Sequence, residues 1–483
     1  MPQPEIRSGE KGAIARVTSS PAQPVVDPLA AARLVRVDPA WAWTAFEPSS
    51  DRPWTLALAA HLFRRAGFGA DGTELQRALT RGPRATLDDL LKPGEEAEKF
   101  NATFDGHEAA AARSGDASSF NAWWLRRLMG TPDPLGEKLA LFWHNHFAIS
   151  SAAVADLPMF QRHLQLLRAR ARGGFDALLQ ALLNDPAMFV ALGGDQNRRS
   201  QPNLPFARPW LHAFTVGADT ATDRDVAELA RCFTGWFGYG GKLRFIEREH
   251  DAGDKDLLGR TGRFGRDDLA AILSAHPATG RNVARKLFRW FVSETVWPGD
   301  ALLEPLAAGL RRRDGLRSVV ESILRSNLFF SEHALRQKIK SPVELAVGLA
   351  RSLGASPPTV PMARDLVNLG QRLDEPPTVG GWTGGVDWIN SITVALRLKM
   401  CRSMLDGSSD YGNALDPAQV ASRHGHTNPP AAAQFWMDTL LQDQLPSPSR
   451  GAILERAAGS SASPASLREV VATLVSRPEF QLS

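Results

Sequence analysis

Leu141-Phe142-Trp143-His144-Asn145-His146-Phe147 sets two imidazoles and three aromatic rings in six consecutive positions, 142–147. Upstream, Asp133-Pro134 reads as a helix start. Asp133 is the N-cap and Pro134 takes the first helical position, where no N–H is needed. Leu135, Leu139, Phe142 and His146 then form one stripe, and Glu137, Ala140, Leu141 and His144 share another face. His144 and His146 lie about 200° apart if the helix runs through both, so a regular helix does not offer both to one metal. In a strand, or beyond a helix end, the same spacing would put them on one face. The bland alternative is that His146 caps an apolar stripe while His144 hydrogen-bonds into the core.

Outward from this stretch the chain reads as helices. Residues 1–53 are expected to be a leader, disordered or loosely docked, being rich in Pro, Ala, Ser and charge. Trp41, Trp43 and Phe46 are its candidates for docking. A helical domain follows over 54–483, with a main body at 54–405 and a C-terminal helical extension at 406–483. Thr55 to Arg65 is helical and stops at Gly67-Phe68-Gly69. Asp71–Leu79 and Thr86–Leu91 read as short helices, and 93–118 as a mobile connection. Leu157–Ala171 and Phe175–Leu183 are split by Gly173-Gly174. Residues 195–209, polar and proline-rich, read as a loop that would line a cleft. Asp223 to Trp236 is helical with Asp223 as its cap. Lys242 to Arg248 alternates polar and apolar, and with an arm near Leu257–Phe264 it predicts one hairpin. Val386 to Leu405 reads as an amphipathic helix. The expected fold is mostly α: a large multi-helix domain with a small β-hairpin insertion.

Composition narrows the function classes. Lys+Arg 56 against Asp+Glu 52 gives +4, too mild to argue for nucleic acid. No run approaches the length of a membrane span. Cys232 and Cys401 imply no disulfide framework. After Met1 the chain is polar with no apolar signal region, so the expected location is cytoplasmic by default, with export beside a signal-bearing partner as the other route.

Three constellations carry candidate chemistry. His144 and His146 with His250 and Asp251 would make a metal site, since imidazole plus carboxylate suits a divalent ion such as zinc or iron. The opposing reading places His250 and Asp251 in a turn or salt bridge. Arg198, Arg199 and Arg208, with the stripe Arg281, Arg285 and Arg289, suit an anion, although such a stripe is commonly a solvated helix face. Trp382 and Trp388, beside Gly384-Gly385, would stack sugars or pin a loop onto the core. A cleft on these islands would be built from His144, His146, Asn203, Arg208, Arg198, Arg199 and Trp382. No nucleophile elbow, phosphate loop or dinucleotide fingerprint occurs.

Several ordered motifs carry a resemblance. They are His61-Leu-Phe-Arg-Arg-Ala-Gly-Phe-Gly, Phe142-Trp-His-Asn-His-Phe, Asn184-Asp-Pro-Ala-Met, Phe206-Ala-Arg, Leu229-Ala-Arg-Cys-Phe-Thr-Gly-Trp and His276-Pro-Ala-Thr. Lys286-Leu-Phe-Arg-Trp-Phe-Val, Lys340-Ser-Pro-Val-Glu-Leu, Leu369-Gly-Gln-Arg-Leu, Pro376-Pro, Gly381-Trp and Arg477-Pro-Glu-Phe-Gln follow. Together they resemble the bacterial family of domain of unknown function 1800, from about Trp54 onward. The resemblance implies a helical family without an established reaction. It also implies a partner of the DUF1501 type, which resembles alkaline-phosphatase-like and sulfatase-like proteins. Relatives read Asn-x-Asn-Glu-Asn-Phe-Ala-Arg-Glu-Leu-x-Glu-Leu-Phe where this chain has Gln201-Pro-Asn-Leu-Pro-Phe-Ala-Arg-Pro-Trp-Leu-His-Ala-Phe. Leu204, Pro209 and His212 replace three carboxylates. The expected function is therefore a helical accessory or scaffold protein acting with that partner. A metal-dependent hydrolase using the His/Asp set and a polysaccharide-binding protein are the alternatives.

Overall fold

The helix predicted from Asp133-Pro134 runs from Pro134 to His146 and passes through both histidines. In the computed structural model, which describes residues 37–312, 314–407, 409–412, 416–442, 445–459 and 464–483, it is closed in on all sides. Asp133 accepts from the Gly136 N–H at 3.0 Å, as an N-cap should. Every residue from Pro134 to His144 is buried, and so is His146. Leu157–Arg170 packs along this helix, and Leu56–Ala66 and Gly72–Leu91 touch it. Ala117–Gly130 lies against Thr359–Asn368 and Pro342–Ser352. Phe175–Leu183 pairs with Arg266–Ala275, and Pro277–Phe291 with Asp300–Leu310. Pro429–Leu440, Ser447–Ala458 and Pro464–Val475 pack together near the end. One buried apolar cluster extends from Ala42 to Phe480.

The fold is mostly helical, as expected, and the sheet content is two hairpins rather than one. Lys242–Phe245 does not pair with the arm near Leu257. It turns back through Gly240-Gly241 onto Trp236–Tyr239, with Trp236 opposite Phe245. Lys255–Leu257 pairs with Arg260–Gly262 through Leu258-Gly259. Both two-residue turns have positive φ at each position: 58° and 72° in the first, 52° and 76° in the second. That is the turn whose twist matches two antiparallel strands, and it closes each hairpin on itself.

Other expectations change for local reasons. Residues 93–118 are not a loose connection but a helix, Glu95–Arg113. Glu95, Glu96 and Glu98 favour its N-terminus, the alanines favour its body, and Phe100 stacks on Phe104 at 4.1 Å. The loop expected over 195–209 ends at Asn203, which caps the helix Leu204–His212. Pro205 is tolerated there because it sits in the first turn. Thr222, not Asp223, caps Asp223–Cys232, with Asp225 completing a capping box. The helix expected from Val386 begins at Ser391, capped by Asn390 after a 3-10 turn at Gly385–Trp388.

Of the proposed leader, residues 1–36 lie outside the described residues. Beyond them, Trp43 Nε1 donates to the Leu302 carbonyl at 2.9 Å, and the Phe46 ring lies 5.0 Å from that of Phe330. Among the described residues no helix is long and apolar enough to cross a membrane.

The interior holds charge as well as grease. Arg127 Nε donates to Glu137 at 2.6 Å, with side chains only 1% and 3% exposed. Arg168 reaches the same carboxylate at 3.0 Å. Removing one partner of such a pair strands the other in low dielectric, at about 3–5 kcal/mol. Glu137→Ala is therefore expected to lower unfolding free energy by about that much, and Glu137→Gln by less, in urea titrations followed by circular dichroism. Equal stability of Glu137→Ala and wild type would refute the buried tie.

Candidate functional site

The residues singled out above are placed one by one on separate neighbours. His144 Nε2 donates to the Leu373 carbonyl at 2.8 Å, and its ring meets those of Trp124, Phe160 and Trp382. His146 Nε2 donates to the Phe214 carbonyl at 3.0 Å. Its Nδ1 then accepts from the Lys286 ammonium at 3.1 Å, so both ring nitrogens are used. His250 Nδ1 donates to the Thr234 carbonyl at 2.8 Å. Asp251 is gripped by Arg231 at 2.7 and 3.2 Å. The four are not drawn together, and among the described residues no group of three or more His, Cys, Asp or Glu is arranged to hold a metal ion.

The arginines are likewise dispersed. Arg208 pairs with Asp223 at 2.9 Å. Arg198 lies over the Phe237 ring at 4.3 Å, and Arg199 is exposed. In the 281–289 stripe, Arg285 covers Trp297 and Arg289 donates to the Thr383 carbonyl. Asn203 accepts from Phe206 N–H and donates to the Gly193 carbonyl, a capping role. Trp382 and Trp388 are buried. The Trp382 backbone N–H and carbonyl both meet the Asn145 side chain, at 2.7 and 3.4 Å. Gly381 makes that approach feasible. Its φ is 77°, and a Cβ there would fall 2.2 Å from the Asn145 carbonyl oxygen and side-chain oxygen.

A different group of residues does converge. Lys338 Nζ lies 3.2 Å from Glu344 and 3.8 Å from Glu294, and Lys138 pairs with the same Glu344 oxygen. Burial pushes the Glu344 carboxyl up, but the ammonium groups of Lys138 and Lys338 more than offset this and hold it well below the usual carboxylate range. Burial draws Lys138 down to about 8, so the pair is ionised at neutral pH. Beside it Arg64, Phe68, Lys340, Gln442 and Phe480 line a small open-mouthed cavity. None of the residues selected from sequence lines it. Arg64 and Lys340 were visible only as letters in two motifs of the resemblance. The signals that single them out are adjacent arginines inside an apolar helix, Arg64-Arg65, and the alternation of Lys338 and Lys340 just before a Ser-Pro cap.

Burial also governs the histidines. It pulls His144 down to about 3, assisted by His163. His61 and His146 lie well below the ordinary value, through burial and then Arg65 and Arg64 for the one and Lys286 for the other. The folded chain thus holds these rings neutral, while the unfolded chain takes up protons near pH 6.5. Their stabilising contribution is complete above about 6.5 and is lost as pH falls toward the folded values. Urea unfolding at pH 7.5, 6 and 5 is expected to show stability dropping by up to about 1.4 kcal/mol per pH unit per ring. His144→Gln, which can keep a donor to Leu373, is expected to flatten that slope. A profile level from 6.5 to 5 would contradict the neutral assignment.

No curated protein and no solved structure matches the chain. The model of the family described as "Protein of unknown function (DUF1800)" matches residues 61–482, from the first histidine of the His61–Gly69 motif nearly to the last residue. The chain belongs to the DUF1800 family.

Proposed function

We propose that the protein is a helical accessory protein that works by docking a partner, of the DUF1501 type suggested by the family resemblance. The observation that carries this reading is an apolar ridge on the surface. Val386 and Ile389 leave the 3-10 turn exposed, and Ile392 and Val394 follow on the first turn of Ser391–Leu405, with Ile392 69% exposed. The far half of the same helix is buried through Arg397, Met400, Cys401, Met404 and Leu405. An anchored helix whose leading turn holds isoleucine and valine in water has the form of a recognition surface.

The dispersed histidines support this reading over a metal-dependent hydrolase, because His144 Nε2 and both ring nitrogens of His146 are committed to backbone carbonyls and to Lys286, and no second ligand faces the remaining His144 Nδ1 among the described residues. The burial of Trp382 and Trp388 supports it over polysaccharide binding, which needs an open ring face.

Full burial of an exposed isoleucine or valine is worth about 1.5–3 kcal/mol, and Ile392 and Val394, partly covered already, would each gain a share of that against a partner. Co-expression with a DUF1501-type protein encoded in the same genome is expected to yield a stoichiometric complex. Ile392→Asp with Val394→Asp should reduce recovered partner at least about tenfold while leaving circular dichroism unchanged. A variant lacking residues 1–36 should bind as wild type does. No complex from the native host, or capture insensitive to the two substitutions, would overturn the proposal.

A further inference from the structure

The cavity between the end of Leu56–Ala66 and the start of Pro342–Ser352 carries more positive charge than its surroundings answer. Arg64 Nη1 donates to Gln442 Oε1 at 2.7 Å. Its Nε and Nη2 are buried and meet no acceptor among the described residues. The Lys340 side chain is 6% exposed. Its ammonium lies 3.7 Å from the centre of the Phe480 ring and makes no hydrogen bond or salt bridge among the described residues. Behind it Arg397 spends Nε on Gln481 and Nη2 on the Lys340 carbonyl, and its Nη1 has no partner among the described residues. The one carboxylate side chain lining the cavity, Glu344, is already committed to Lys138, Lys338 and the Ser341 N–H, and Ser483, the last residue of the chain, lines it as well. None of Arg64, Lys340 or Arg397 has a carboxylate within salt-bridge distance among the described residues.

A buried cation whose neutral acceptors leave donors unanswered is relieved by shedding its proton or by holding an anion. Lysine can do the first. Burial, and then Arg64 and Arg336, press the Lys340 ammonium well below its ordinary value. A guanidinium cannot deprotonate in a protein, so Arg64 and Arg397 have only the second. The backbone adds a separate mark. Arg336 and Gln442, joined by a 3.2 Å hydrogen bond, hold φ of 55° and 50°. Left-handed backbone at residues other than glycine is costly and gathers at binding sites. Here it fixes the amide that orients Arg64.

We infer that this cavity binds one small tetrahedral oxyanion, inorganic phosphate or sulfate or the phosphoryl or sulfuryl head of a small molecule, between the Arg64 guanidinium and the Lys340 ammonium. A guanidinium offers two parallel donors to such a group and the ammonium a point charge. The inference stands apart from partner docking, because the ridge and the cavity share no residue.

The test is calorimetric titration of the full chain with sodium phosphate, sulfate, methyl phosphate and acetate, against chloride at matched ionic strength. Saturable one-to-one binding of phosphate or sulfate is expected, with a rise in thermal midpoint that follows site occupancy. Methyl phosphate binding as well as phosphate would identify the head of a small molecule as the ligand; phosphate alone would identify the free ion. Lys340→Met and Arg64→Gln should each weaken binding at least about tenfold. Lys340→Met should also raise the midpoint measured in chloride, the opposite of what loss of a structural cation would do. No saturable heat from wild type, preference for planar acetate, or folded variants that bind like wild type would overturn the assignment. The wild-type titration decides the matter even if a variant fails to fold.

Discussion

A helix closed in on nearly every side must settle its buried charges and imidazoles inside the protein, and the Pro134–His146 helix buries four ionisable side chains, Glu137, Lys138, His144 and His146. Glu137 answers Arg127 and Arg168 on two neighbouring helices. Lys138 answers Glu344 at the start of a third. His144 and His146 each donate to a backbone carbonyl in a different segment, at Leu373 and Phe214. Apolar packing alone tolerates many arrangements of similar volume. These ties do not, because each fails if its neighbour slides or turns by a fraction of a helical step. The central helix therefore works less as filler than as the reference against which five other parts of the chain are set.

Much of that frame was legible in the residues. Asp133-Pro134, Asp185-Pro186, His276-Pro277 and Ser341-Pro342 each put a capping side chain before a proline, and each starts a helix. The separation of His144 from His146 followed from helical geometry alone. What was misread had a local cause. Residues 95–113 look like a linker by composition, yet Glu and Ala are good helix formers, and Ala97, Glu108 and Ala112 find a buried seat. The alternation at Lys242 says that a strand exists, not which partner it takes. Gly240-Gly241 held that answer.

The candidate site was less legible, for a physical reason. Histidine and aspartate draw attention because their chemistry is versatile, so they were sought as ligands; here their nitrogens and oxygens serve as internal fasteners. Arginine in a helix is ordinarily solvated, which is how the 281–289 stripe reads from sequence. Only the fold reveals that Arg64 and Lys340, far apart in the chain, are both buried and turned toward one hollow. Charge that would be unremarkable outside becomes, in low dielectric, the strongest feature of the molecule.

Asn145 holds the loop ahead of Ser391 by its main chain, taking the Trp382 N–H and carbonyl together while Gly381 lets the two backbones close up. A clasp of that kind is indifferent to lettering. The exposed side chains that follow, Val386, Ile389 and Ile392, are free to diverge without disturbing that clasp, so long as the glycine, the asparagine and the buried Trp382 and Trp388 persist. The seat of this segment is thus set by backbone and by two residues, Gly381 and Asn145, rather than by the exposed side chains that it displays.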